Sequence, residues 1–188
     1  MDHRQVSLVA GIPTLDIRTF TQGTDAEKSA FVKDLGNAYE SIGFAAIHGH
    51  GIPDDLISKL YAESASFFAL PYEVKSQYAR PEANNQRGFV SMGVEHAKGS
   101  QAADLKEFWQ VGQPTPPEGY EPSHFPTNET VSERPEFQAT AVQAFEALED
   151  LGRSILQAIA LHLKIEESYF DEWVRGGNSI LRAIHYPA

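Results

Sequence analysis

Seven histidines and no cysteine frame the chemistry open to this 188-residue chain. Thiolate metal sites, thiol nucleophiles and a disulfide framework are excluded at once. The histidines are His3, His48, His50, His96, His124, His162 and His185, and only His48-Gly-His50 is a close pair. On an extended strand residues two apart face the same side, so both imidazoles could reach one ion. A third ligand is missing nearby, because Asp54 and Asp55 are better explained as helix-start carboxylates. The competing reading is a strand-to-helix turn whose histidines bond to backbone. His162, near the end of a long helical pattern, suits core packing or the helix dipole, and His185 on the final strand suits a structural role. Arg87-Gly-Phe89 offers a different chemistry: a guanidinium beside a flexible glycine can fork toward a carboxylate, which makes Arg87 a candidate substrate contact. A solvated loop arginine is its plain alternative.

Other catalytic arrangements find no support. There is no Gly-x-Ser-x-Gly elbow, and Gly49-His-Gly51 lacks the third glycine and the lysine of a phosphate cradle. Glu166-Glu167 and Glu146, Glu149 and Asp150 read as solvated helix faces. A net charge of -11 disfavours nucleic acid and anionic lipid surfaces. No segment has the order of a secretory signal or the length of a membrane span, so a cytoplasmic protein with no nucleic-acid or membrane partner is expected.

The elements that must position these residues follow from periodicity. Ile12-Pro-Thr-Leu-Asp-Ile17 alternates and carries a proline, which suits a first or edge strand. Thr24-Asp-Ala-Glu27 is a capping box opening a helix with Phe31, Leu35, Ala38, Tyr39 and Ile42 along one face, and Gly43 ends it. Phe44–His48 reads as a buried strand. Pro53 and Pro71 open two further helices. Residues 80–132 are irregular, with one strand expected at Glu107-Phe-Trp-Gln-Val111. Pro135 opens the longest helix, striped by Phe137, Ala141, Phe145, Leu148, Leu151, Ile155, Ile159 and Leu163. Phe67, Phe68, Phe89, Phe108, Trp109, Phe145, Tyr169, Phe170 and Trp173 are expected in the core of a single α-rich unit. The closing run, Asn178 to Ala188, alternates with Ile180, Arg182, Ile184 and Tyr186 on one face and Leu181, Ala183 and His185 on the other. Such a strand needs partners on both edges, and the expectation is that this is the front part of a larger protein.

Six of these segments, in order, resemble the amino-terminal half of the iron(II)/2-oxoglutarate-dependent dioxygenases of the isopenicillin N synthase-like family. Ile12-Pro-Thr-Leu-Asp16 looks like its "IPxID" strand, Gly43–Pro53 like "GFFxxxxHGIP", and Phe68-Ala-Leu-Pro-Tyr-Glu-Val-Lys75 like "FxLPxExK". Arg87-Gly-Phe89 is similar to its "GY" loop, Asp104-Leu-Lys-Glu-Phe108 to "DxKExF", and Leu181–Pro187 to "LRxxxYP". The resemblance implies an α+β fold. Residues 1–177 would be the helical N-terminal region, and 178–188 would start a double-stranded β-helix (jelly roll), truncated before the metal-binding strands. It also implies iron(II) as cofactor, 2-oxoglutarate as cosubstrate, and a small organic substrate oxidised with O2 by hydroxylation, desaturation or ring closure. The family's iron is held by a His-x-Asp pair and a distant His, and its cosubstrate by an Arg-x-Ser pair, all after the "YP" strand. No His-x-Asp occurs in these 188 residues, so no metal ligand or catalytic residue is assigned and the isolated chain is expected to be inactive. Tyr186 matches a tyrosine that hydrogen-bonds 2-oxoglutarate in many relatives, and Ile184 replaces an asparagine common in plant members. Arg87 falls in a loop that contacts substrate in some members, while His50 matches a turn histidine. Two alternatives are a non-catalytic binding module of the same fold and an oxidase of the family that uses no 2-oxoglutarate.

Overall fold

The computed structural model describes residues 7–9, 11–96, 104–115, 118–119 and 125–187. His3, His124 and Gly99 lie outside the described residues. Where the sequence predicts a single α-rich unit, the chain forms two compact units: Met1–Gly51 with Glu149–Arg175, and Ile52–Leu148 with Gly176–Ala188.

In the first unit the Thr24 capping box forms as read. The Thr24 amide donates to Glu27 Oε2 at 2.9 Å and the Glu27 amide to Thr24 Oγ1 at 3.4 Å, opening α2, Asp25–Ser41, after the single turn α1, Arg18–Thr21. Gly43, at φ +81°, ends α2 in the left-handed region that glycine enters without a Cβ penalty. The sheet has the order β1-β2-β3, from Ser7–Val9, Ile12–Asp16 and Ala46–His48, with β2 antiparallel to β1 and parallel to β3. The proline-bearing strand is therefore neither first nor at an edge. Pro13 sits inside the β1–β2 ladder opposite Leu8, while the ladder on its other side, to β3, begins one residue later at Thr14↔Ala46. The expected buried strand at Phe44 is also shorter and more open, with Phe44 itself 66% exposed. Leu15, Ile17, Phe20, Phe31, Leu35 and Ala158 form the core of this unit. Tyr169 and Trp173, expected inside, are exposed: short α6, Asp171–Gly176, leaves Trp173 outward.

In the second unit α3, Asp54–Phe68, and the single turn α4, Tyr72–Lys75, pack near a sheet of order β4-β5-β6. Its strands are Gly88–Val90, Glu107–Gly112 and Ile180–His185, all antiparallel. β4 is a second strand in a region expected to hold one. Three residues are too few for alternation to be visible, and its strand character comes from pairing with β5. Phe67 is the hub of the core, with ring centroids 4.8 Å from Trp109, 5.1 Å from Phe137 and 5.9 Å from Phe89. The long helix α5 spans Pro135–His162 as anticipated. Its stripe is divided between the units: Phe137, Ala141 and Phe145 serve the second core, and Leu151, Ile155 and Ile159 the first. Among the described residues, no helix is long and apolar enough to cross a membrane.

Candidate functional site

β5 is buried along its whole length, so both of its faces are informative. The register pairs Glu107 with His185, Phe108 with Ile184 and Gln110 with Arg182. Side chains alternate across a strand, which sends Glu107, Trp109 and Val111 to the core face together with Leu181, Ala183 and His185.

On that core face sits a polar group of three, in which Lys75 and Glu107 are buried and His185 is partly exposed. Lys75 Nζ donates to both carboxylate oxygens of Glu107 at 2.8 Å and to the Phe68 carbonyl at 2.9 Å. His185 Nδ1 lies 2.9 Å from Glu107 Oε1. A carboxylate beside an ammonium only accepts, so Nδ1 carries the proton in this contact. The imidazole stacks on Phe68 with centroids 5.0 Å apart. The Lys75 and Glu107 side chains are only 8% and 5% exposed, so each charge depends on the other for its place in a low-dielectric interior.

The opposite face carries Arg182. Its guanidinium lies 4.1 Å from the Phe108 ring centroid, donates through Nη2 to Gln110 Oε1 at 3.1 Å and pairs through Nη1 with Glu95 at 3.1 Å. Tyr186 follows directly after β6, is 69% exposed and makes no hydrogen bond among the described residues.

Arg87 is not on an open loop, solvated or otherwise. It is completely buried at the entry to β4, where Nη1 donates to the Gln86 carbonyl at 2.7 Å and Nη2 to Asn178 Oδ1 at 2.8 Å. Its Nε has no acceptor among the described residues, and burial lowers its pKa from the usual value. Gly112 makes room for it, since a Cβ there would fall inside the guanidinium.

Similarity to known proteins decides the family. A family model described as "non-haem dioxygenase in morphine synthesis N-terminal" matches residues 12–132. The chain belongs to this family. It is thereby a member of the isopenicillin N synthase-like iron(II)/2-oxoglutarate dioxygenases. It is 31% identical to the 2-oxoglutarate-dependent dioxygenase frbA of Dothideomycetidae sp. (strain 11243), over 94% of this chain and 55% of that protein. A solved 2OG-Fe(II) oxygenase family protein from Caulobacter crescentus superposes with a TM-score of 0.81 at 34% identity, covering 94% of this chain and 56% of that one. A full-length Neurospora crassa protein, solved in complex with alpha-KG, gives a TM-score of 0.74 at 29% identity over 94% of this chain and 51% of that one. The chain spans about half the length of the curated relatives it matches.

For this dioxygenase-family chain, the histidine pair loses its geometric premise. β3 ends at His48, and Gly49 turns the backbone at φ +68°, so His48 and His50 do not share one face of an extended strand. His162 Nε2 lies 2.9 Å from Glu40 Oε1, in the last turn of α5. Among the described residues no three His, Asp or Glu side chains gather where a metal could be held. The described donor set therefore does not fit the family's iron(II), and no chemical step is routed through it. Sequence reading missed Glu107, Lys75 and Arg182 as members of the site. Their only signal was membership of the "FxLPxExK", "DxKExF" and "LRxxxYP" motifs, which join in space.

Proposed function

We propose that these residues are the amino-terminal portion of an iron(II)/2-oxoglutarate-dependent oxygenase that oxidises a small organic substrate with O2. One observation carries the reading. The chain follows the Caulobacter oxygenase over 94% of its own length while covering 56% of that protein. In this proposal β6 is the first strand of the jelly roll, residues 1–177 are the preceding region, and the iron ligands belong to later strands. Tyr186 lends an exposed phenol to the carboxylate of 2-oxoglutarate. Arg87, fully enclosed, supports the site from behind: its guanidinium ties the entry of β4 to Asn178, just before β6. Residues 1–188 alone do not convert 2-oxoglutarate to succinate.

The test has two arms. An in-frame His-x-Asp in the coding sequence beyond Ala188, with 2-oxoglutarate turnover by the protein that contains it, is the expected result. A stop codon directly after Ala188, or tight stoichiometric iron(II) binding by the 188 residues, overturns the reading. In the longer protein, Arg87→Lys is expected to lower stability, because an ammonium cannot reproduce the fork geometry that holds the Gln86 carbonyl and Asn178 together.

A further inference from the structure

We infer that Lys75, Glu107 and His185 form a positioning relay that fixes the end of β6 and, through it, the direction of the Tyr186 hydroxyl. The inference rests on the proposed role of Tyr186 at 2-oxoglutarate. His185 is the last residue of β6 and the ladder partner of Glu107, so backbone pairing and a side-chain bond coincide at one position. Glu107 is in turn held by Lys75, and Lys75 by the Phe68 carbonyl. The His185 ring stacks on that same Phe68. Four residues from three distant segments thus converge on the strand end, and the next residue is Tyr186.

Stability alone gives no reason for charge here. The rest of β6 is held by its ladder and by Leu181 and Ala183 against the aromatic core. A buried ion pair commonly stabilises no more than apolar side chains of the same volume, because desolvation opposes the Coulomb gain. What directional bonds add is a single geometry. An apolar contact would let the strand end rock, whereas the single His185 bond goes to a carboxylate that two bonds from Lys75 already fix in direction. Tyr186 has no hydrogen-bond partner of its own among the described residues, so its aim depends on this anchor.

Calorimetric binding of 2-oxoglutarate to the full-length protein tests the relay. Tyr186→Phe is expected to weaken binding about fivefold, roughly one net hydrogen bond. His185→Leu, at a side chain 40% exposed, is expected to weaken it by a similar factor. His185→Asn, whose amide nitrogen replaces Nδ1, is expected to restore it. In the Tyr186→Phe background His185→Leu adds no further loss, because the hydroxyl it positions is gone. If leucine unfolds the protein, His185→Gln, which displaces the same donor, carries the same expectation. Unchanged binding in His185→Leu beside weakened binding in Tyr186→Phe overturns the relay alone, as does an equal loss from His185→Leu in both backgrounds. Unchanged binding in Tyr186→Phe overturns the Tyr186 reading and the relay with it.

Discussion

The two units bury very different things. Around Leu35 the described core is Leu15, Ile17, Phe20, Phe31 and Ala158, and no charged residue is buried as a whole. Around Phe67 the interior also encloses Lys75, Arg87, Glu107, Gln110, Gln113 and Thr140, the described polar residues that are buried as a whole, whereas in the first unit burial reaches only single polar atoms such as Thr14 Oγ1 and Glu149 Oε1. Both units exclude water through apolar surface, so the polar burden of the second is not needed to make a core. It marks the unit in which side-chain direction matters, and both Arg87 and Tyr186 belong to it. The first unit is scaffold: its core is apolar, and its directed side-chain contacts, such as Asp16–Arg18, Lys28–Glu167 and His162–Glu40, lie at or near the surface.

That contrast can be broken most directly at Glu107. Glu107→Ala leaves Lys75 buried beside a carbonyl with no anion, and is expected to cost about 3–5 kcal/mol in urea unfolding followed by far-ultraviolet circular dichroism. A loss below ~1 kcal/mol would show that the buried charge is solvated in practice and would erase the distinction. Leu35→Ala, in the apolar core, is expected to cost about 3 kcal/mol by transfer and cavity formation. The two tryptophans sharpen the comparison, because Trp109 is 1% exposed in the second unit and Trp173 is 70% exposed in the first. Fluorescence of Trp109 in Leu35→Ala reports whether damage to the scaffold reaches the polar core.

Smaller effects belong to the first unit's local devices. Thr24→Ala removes one half of the capping box and is expected to cost about 1 kcal/mol by the same measurement. Asp16 gives the smallest effect and a pH signature. Its side-chain hydrogen bond to Arg18 is the main cause that lowers its pKa to about 2 from the ordinary 3.8, against the opposing effect of burial. A depressed folded-state pKa contributes stability that is present above the unfolded value and lost as pH falls through the folded one, here between about pH 4 and pH 2. Arg18→Ala should flatten that part of the stability–pH curve, and an unchanged slope would show that the pair is screened by solvent.

The elements legible in the sequence are those whose cause is local. The α2 cap, the start of α5 at Pro135 and the alternation of β6 depend on neighbours one to four residues away. β4 is invisible at that level, since three residues carry no period and its partner lies across a long connection. Trp173 and Tyr169 mislead for a related reason: a large aromatic side chain reads as core unless one knows which face of a one-turn helix meets the protein. Pro13 points to an edge because proline lacks a donor, but β2 is central: Pro13 stands opposite Leu8 of β1, and pairing with β3 starts only at Thr14. Arg87 reads as a loop residue because Gly88 follows it, and only the bare backbone of Gly112 explains how a guanidinium fits inside.

By itself, the sequence determined the main helices and the longer strands, the lack of cysteine chemistry in these residues and the run of motifs that places the chain among the dioxygenases. Which residues stand together was settled only by the tertiary structure. Lys75 and Glu107 are 32 residues apart, and Glu107 and His185 are 78 apart. No periodicity links such positions, because the partner of a buried charge is chosen by the register of strands and the desolvation it must offset, and both exist only once the chain has folded.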